Sequence, residues 1–133
     1  MTYALDSNII QYLLKGDARV QGRFLEAIDG SNTYAIAPLV YYEVKRGLKA
    51  VNAKAKLYEF DKLCKLGMMG EMDIDVWEQA VNLYVELRNN RKLIEDADLF
   101  IASFCMVNGF VLVTNNTRHF ERITGLQLED WAN

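Results

Sequence analysis

Several residues on which common chemistries depend are scarce in this sequence. Histidine occurs once, at His119, so a metal-free ribonuclease mechanism has no second histidine to divide the acid and base roles with. Cysteine occurs only at Cys64 and Cys105, far apart, with no C-x-x-C pair and no accompanying histidines. That spacing supports neither a zinc site nor a disulfide framework, and both thiols are expected to be reduced packing residues of a cytosolic protein. No apolar run approaches the roughly 20 residues that span a bilayer, and the N-terminus lacks the basic segment and long apolar stretch of a signal peptide. A cytoplasmic protein without membrane attachment is expected. Gly-x-x-x-x-Gly-Lys, Gly-x-Gly-x-x-Gly and Gly-x-Ser-x-Gly are all missing, which removes support for nucleotide triphosphates, dinucleotides and acyl transfer. A net charge of -3 leaves any nucleic-acid binding to local basic patches.

What is present is ordinary globular material: the 51% hydrophobic and 25% charged fractions lie well away from disordered or fibrous compositions. At 133 residues, one core and one domain over residues 1–133 suffice, and no repeat, linker or low-complexity tract divides the chain. Short apolar segments at residues 3–5, Thr33–Ile36, 72–74 and 110–113 read as strands. Helical spacing predicts helices after Asp6, from Val20 to near Gly30, from Pro38 through Glu43, over residues 51–66, and from an N-cap at Asp75 through Trp77, Ala80, Val81, Tyr84 and Leu87. Pro38 suits the first turn of its helix, where the missing N–H is harmless. A nearly all-apolar helix over Asp96–Asn108 is capped by Gly109. Strands alternating with helices predict a three-layer α/β/α domain with a central, mainly parallel sheet.

In such sheets ligands bind beyond the carboxyl ends of the strands, where Asp6 and the pair Asn115-Asn116 fall. Asp6 also reads as a helix N-cap. Asp98 shares a helical stripe with Ile101, Ala102 and Cys105, which aims a carboxylate inward. Left without a partner there it would go neutral, whereas as a first-turn residue it would only favour the helix dipole. Asp96, two residues earlier, faces another way. Glu43 lies among Tyr41, Tyr42, Val44 and Leu48, next to Lys45 and Arg46, and its spacing alone favours an ordinary exposed helix residue. Taken together, these acids form a set of hard oxygen donors suited to magnesium or manganese, and such a metal serves in-line phosphodiester hydrolysis without a side-chain nucleophile. His119 reads as a surface or half-buried neighbour of Phe120.

Four motifs in order resemble the PIN domain, and within it the VapC-type toxins. Leu5-Asp6-Ser7-Asn8-Ile9-Ile10 is similar to the family's Leu-Asp-Thr-Asn-Ile opening, with serine for threonine. Tyr42-Glu43-Val44-Lys45-Arg46-Gly47 resembles its central glutamate helix, and Asp98-Leu99-Phe100-Ile101-Ala102-Ser103 its Asp-x-x-Ile-Ala-Ala helix. Val113-Thr114-Asn115-Asn116-Thr117-Arg118-His119-Phe120-Glu121-Arg122-Ile123, with Gly125-Leu126 and Glu129-Asp130-Trp131, resembles its C-terminal signature. The resemblance implies a Mg2+-dependent endoribonuclease, with Mn2+ able to substitute, in which Asp6 and Asp98 hold the metal and Glu43 completes the acidic site. Asn116 stands where many relatives carry a fourth aspartate, and Asp96 is a secondary acid. Ser7, Asn8, Thr114 and Asn115 would position substrate, and Lys45, Arg46 and Arg118 would contact RNA phosphates. A homodimer and a VapB-like antitoxin that blocks the active-site groove are also implied, with structured RNA, transfer RNA included, as substrate. The asparagine at 116 keeps a second reading open, a PIN-like module that binds RNA or protein without cutting. A phosphate-accepting signalling domain would want a lysine after the last core strand, where this chain has Asn115-Asn116.

Overall fold

Residues Tyr3 to Leu5, Tyr34 to Ile36 and Val111 to Val113 are buried without a break. A strand that hides successive side chains on both faces belongs to a parallel sheet covered on both sides. In the computed structural model, which covers residues 1–133, these segments are β1 (Thr2–Leu5), β2 (Thr33–Ile36) and β4 (Val111–Val113), joined by the two-residue edge strands β3 (Met68–Met69) and β5 (Leu128–Glu129). The sheet order is β3-β2-β1-β4-β5 and every pairing is parallel. The expected three-layer α/β/α architecture is the observed one.

The helices are α1 (Ser7–Lys15), α2 (Ala18–Ala27), α3 (Pro38–Ala50), α4 (Lys54–Leu66), α5 (Ile74–Asn89), α6 (Asp96–Asn108) and α7 (Thr117–Phe120). From β1 the chain moves outward to β2 and β3, then crosses back beyond β1 to β4 and β5. Since parallel crossovers are right-handed, that reversal puts α1–α4 and α5–α7 on opposite faces. It also makes the β1/β4 boundary the topological switch point, the place at the carboxyl ends of the strands where sheets of this kind take their ligands. Twenty-six buried residues form one core cluster, from Ile9 and Ile10 under one face to Leu83, Leu99 and Phe104 under the other. No helix is long and apolar enough to cross a membrane.

The structure moves several expected boundaries. The third strand lies at Met68–Met69 rather than 72–74, because its register sets those residues beside Ala35 and Ile36, the last of β2, and the Gly70 N–H to the Ile36 carbonyl is the final bond between the two strands. Gly70 has no room for a side chain, since a Cβ would run into the Phe104 ring. The N-cap of α5 is Asp73, which accepts from the Val76 N–H, and Asp75 lies in the first turn instead. The helix expected over 51–66 starts at Lys54, after a break at Asn52 with φ of 53°. On α5 the buried stripe is Val76, Ala80, Leu83 and Leu87, leaving Trp77, Val81 and Tyr84 exposed, and Leu25 of α2 is exposed as well. Helix α5 is apolar on two stripes, and periodicity alone does not say which of them meets the sheet.

Candidate active site

Strand β1 ends at Leu5, paired with Val113, and the Asp6 N–H donates to the Val113 carbonyl at 2.9 Å. The carboxyl edge of the two central strands therefore fixes where Asp6 begins. Its side chain caps α1 by accepting from the Ser7 N–H at 2.8 Å, and its other oxygen accepts from the Thr114 hydroxyl at 2.7 Å. Both readings of Asp6 thus meet in one residue, since the cap is also a buried carboxylate at the switch point. Thr114, fully buried at the end of β4, accepts in turn from the Asn116 N–H at 3.0 Å. Asn8 accepts from the Asn115 N–H at 3.0 Å, so the loops after β1 and β4 are stitched together.

Glu43 reaches this edge from α3, where the Ser7 hydroxyl donates to it at 2.9 Å. Asp98 reaches it from the first turn of α6, and its Oδ2 lies 2.9 Å from His119 Nδ1. Burial pushes the Asp6 carboxyl above the ordinary aspartate value; the Thr114 and Ser7 hydrogen bonds oppose this, and the like charges of Asp98 and Glu43 add to it. Two acids distant in sequence, Glu43 and Asp98, therefore bear on one buried carboxylate. The gathering is looser than a preformed cage: no three His, Cys, Asp or Glu side chains stand close enough to hold a cation unaided. Mg2+ suits this donor set, because it keeps several waters and is usually held by one or two carboxylates together with substrate phosphates.

The remaining candidates are placed unevenly. Ser7 and Thr114 spend their hydroxyls on Glu43 and Asp6, which makes them orienters of acids. Asn116 brings its backbone N–H to Thr114, and its side chain is exposed at the start of α7. Asp96 is exposed and borders the depression between α5 and α6 with Trp77, Tyr84 and Phe100, away from the charges that act on Asp6. Lys45 is bound to Asp61 at 3.2 Å and to the Tyr41 hydroxyl, while Arg46 lies over the Tyr42 ring. Arg118 is exposed. His119 is half exposed beside the buried Phe120, as expected, but its contact with Asp98 was not anticipated; the available signal was positional, since it lies within one short turn of a strand end that carries the candidate site.

The fold and this carboxyl-edge arrangement define a class. Residues 3–126 match the PIN domain, and the chain belongs to that family. Among its relatives, ribonuclease VapC2 of Rickettsia felis is 33% identical over 98% of each chain. The tRNA(fMet)-specific endonuclease VapC of Shigella flexneri is 27% identical over 99% of each. Among solved structures, a chain of the VapBC2 complex of Rickettsia felis bound to a promoter DNA fragment superposes with a TM-score of 0.89 at 28% identity, covering 98% of this chain and 99% of that one.

Proposed function

We propose that this chain is a divalent-metal-dependent endoribonuclease and the toxin of a bacterial toxin–antitoxin pair. The observation that carries the reading is the buried Asp6 carboxylate at the switch point, charged against Glu43 from one face of the sheet and Asp98 from the other. Asp6 and Asp98 would hold Mg2+, or Mn2+ in its place. A divalent cation bound there supplies Lewis acidity, which makes water a better nucleophile and offsets the charge that builds on phosphate oxygens. Thr114 and the Ser7 N–H keep both Asp6 oxygens oriented. Glu43, steadied by the Ser7 hydroxyl, is placed to accept a proton from the attacking water. Asn116, at the mouth of the site, adds no negative charge to oppose the RNA backbone. With water as nucleophile and the ribose hydroxyl as bystander, the products carry 5′-phosphate and 3′-hydroxyl ends.

Two surface regions support the partner reading. Leu13, Leu14, Phe24, Leu25 and Leu63 line a depression between α1, α2 and α4. A second depression shares Leu14 and Lys15 with it and reaches Glu43. That continuous track supports a VapB-like antitoxin segment that runs along the helices and blocks the acid site. Trp77, Val81, Tyr84 and Phe100 form a second apolar face, on α5 and α6, which supports a homodimer. The substrate reading is structured RNA, transfer RNA included; one relative is named a ribonuclease and another a tRNA(fMet)-specific endonuclease.

Labelled transfer RNA incubated with the purified protein tests the proposal. Cleavage is expected with Mg2+ or Mn2+ and not after chelation, with 5′-phosphate ends on the products. Cyclic phosphate ends would contradict the water mechanism, and no cleavage with any divalent cation would make the chain an RNA- or protein-binding PIN domain.

A further inference from the structure

Asp98 sits in the first turn of α6 with its side chain 18% exposed, and its one side-chain partner is His119, itself 51% exposed, at 2.9 Å. An exposed pair of this kind contributes little to stability, about 0–1 kcal/mol. Its value lies in geometry. Whether the ring is neutral or charged, a proton on Nδ1 directed at Oδ2 fixes the carboxylate's rotation and leaves Oδ1 for another ligand.

The platform under His119 is anchored in the core. Phe120, the next residue, is fully buried, and Ile123 is buried just beyond it. Arg122 donates to the Leu93 carbonyl at 3.0 Å, bracing α7 against the segment that leads into α6. The His119 N–H donates to the Asn116 carbonyl at 3.2 Å, and the Asn116 N–H donates to Thr114, the residue that holds Asp6. One run of contacts therefore leads from Asp6 through Thr114 and α7 to Asp98, so that the strand-end loop sets both acids at once.

We propose that His119 is a positioning residue that orients the Asp98 carboxylate for the divalent cation, an inference that rests on the metal-dependent reading of this site. Carboxylates that ligate metals are themselves held by hydrogen bonds, and loss of such an outer partner typically weakens metal affinity about 10–100-fold. Neither Ser7 nor Thr114 reaches Asp98, so no other side chain performs this task.

The experiment is calorimetric titration of the wild-type protein with Mn2+, alongside His119→Ala, His119→Asn and Asp98→Asn, with melting temperatures measured in chelator. His119→Ala is expected to weaken Mn2+ binding about tenfold, with its metal-free melting temperature unchanged. His119→Asn, whose amide N–H takes the place of Nδ1–H, is expected to restore most of the affinity. Wild-type affinity in His119→Ala, with Asp98→Asn weakened, overturns the positioning role alone. A loss of affinity that tracks the melting temperature and is not rescued by asparagine also overturns it, since that is the mark of general damage. No Mn2+ binding by the wild-type protein, either alone or with a saturating non-cleavable RNA that supplies the missing phosphate ligands, overturns the metal reading and this inference together.

Discussion

Asp6 and Asp98 act on each other across one sheet edge but are held by different kinds of structure. Asp6 is buried at the end of a central strand, and backbone pairing, a cap and a buried threonine leave it no alternative position. Asp98 is partly open to water on the first turn of a helix, oriented by a single contact to an exposed ring. The difference teaches that the site has a fixed half and an adjustable half. Burial makes the first rigid at an electrostatic cost, whereas solvent makes the second inexpensive and reliant on an outer partner.

The largest effect that tests this contrast is on cleavage. Asp6→Asn and Asp98→Asn are each expected to lower the RNA cleavage rate by about a hundredfold or more, because each removes a charge from the cation's site. A rate assay at saturating Mg2+ checks this, and near wild-type turnover in either variant would remove that acid from the site. Next in size is Thr114→Val, which acts first on the fixed half. It takes the donor from Asp6 and strands the Asn116 N–H, so a loss of about 1–3 kcal/mol in urea unfolding is expected. An unchanged midpoint would mean that the buried hydroxyl does not hold the loop.

Smaller, and opposite in sign between the halves, are the effects of the two Asp→Asn changes on metal-free stability. Burial and the neighbouring acids raise the Asp6 pKa in the fold despite its two hydrogen bonds. The native state therefore holds that proton more tightly than the unfolded chain does. Stability falls as pH rises from the ordinary aspartate range through the raised folded value, and the whole penalty is present above that value. Asp6→Asn should accordingly stabilise the protein at neutral pH, by on the order of 1 kcal/mol, and the gain should vanish below the ordinary aspartate range, where both states are protonated. Asp98→Asn removes a favourable first-turn charge and should destabilise by about 0.3–1 kcal/mol. Thermal melts in chelator across pH separate the two, and a pH-independent gain from Asp6→Asn would show that its charge is not under strain.

Much of the fold was legible in the sequence because burial on both faces leaves unbroken apolar strands, as at Tyr34, Ala35 and Ile36, and because Gly16 and Gly109 end their helices with positive φ. The edge strands were not legible. Two residues such as Met68 and Met69 have no pattern of their own and become a strand only by pairing with β2. The stripes of α5 were misphased for a related reason, since which apolar face meets the sheet is settled by the crossover and not by the helix. In the acid site, Asp6 could be read from its place after a strand, and Asp98 from its stripe with Ile101, Ala102 and Cys105. The role of His119 could not, because its partner lies 21 residues away on another helix.

By itself the sequence determined the alternation of strands and helices, the acids of the candidate site, and the motif order that places the chain among PIN domains, because local periodicity and residue chemistry are written along the chain. Only the tertiary structure decided which acids meet, that Ser7 and Thr114 serve carboxylates, that Asp96 faces elsewhere, and that a lone histidine holds Asp98. Those are distances between elements, and they are set by sheet order and the handedness of the crossovers, which no local segment encodes.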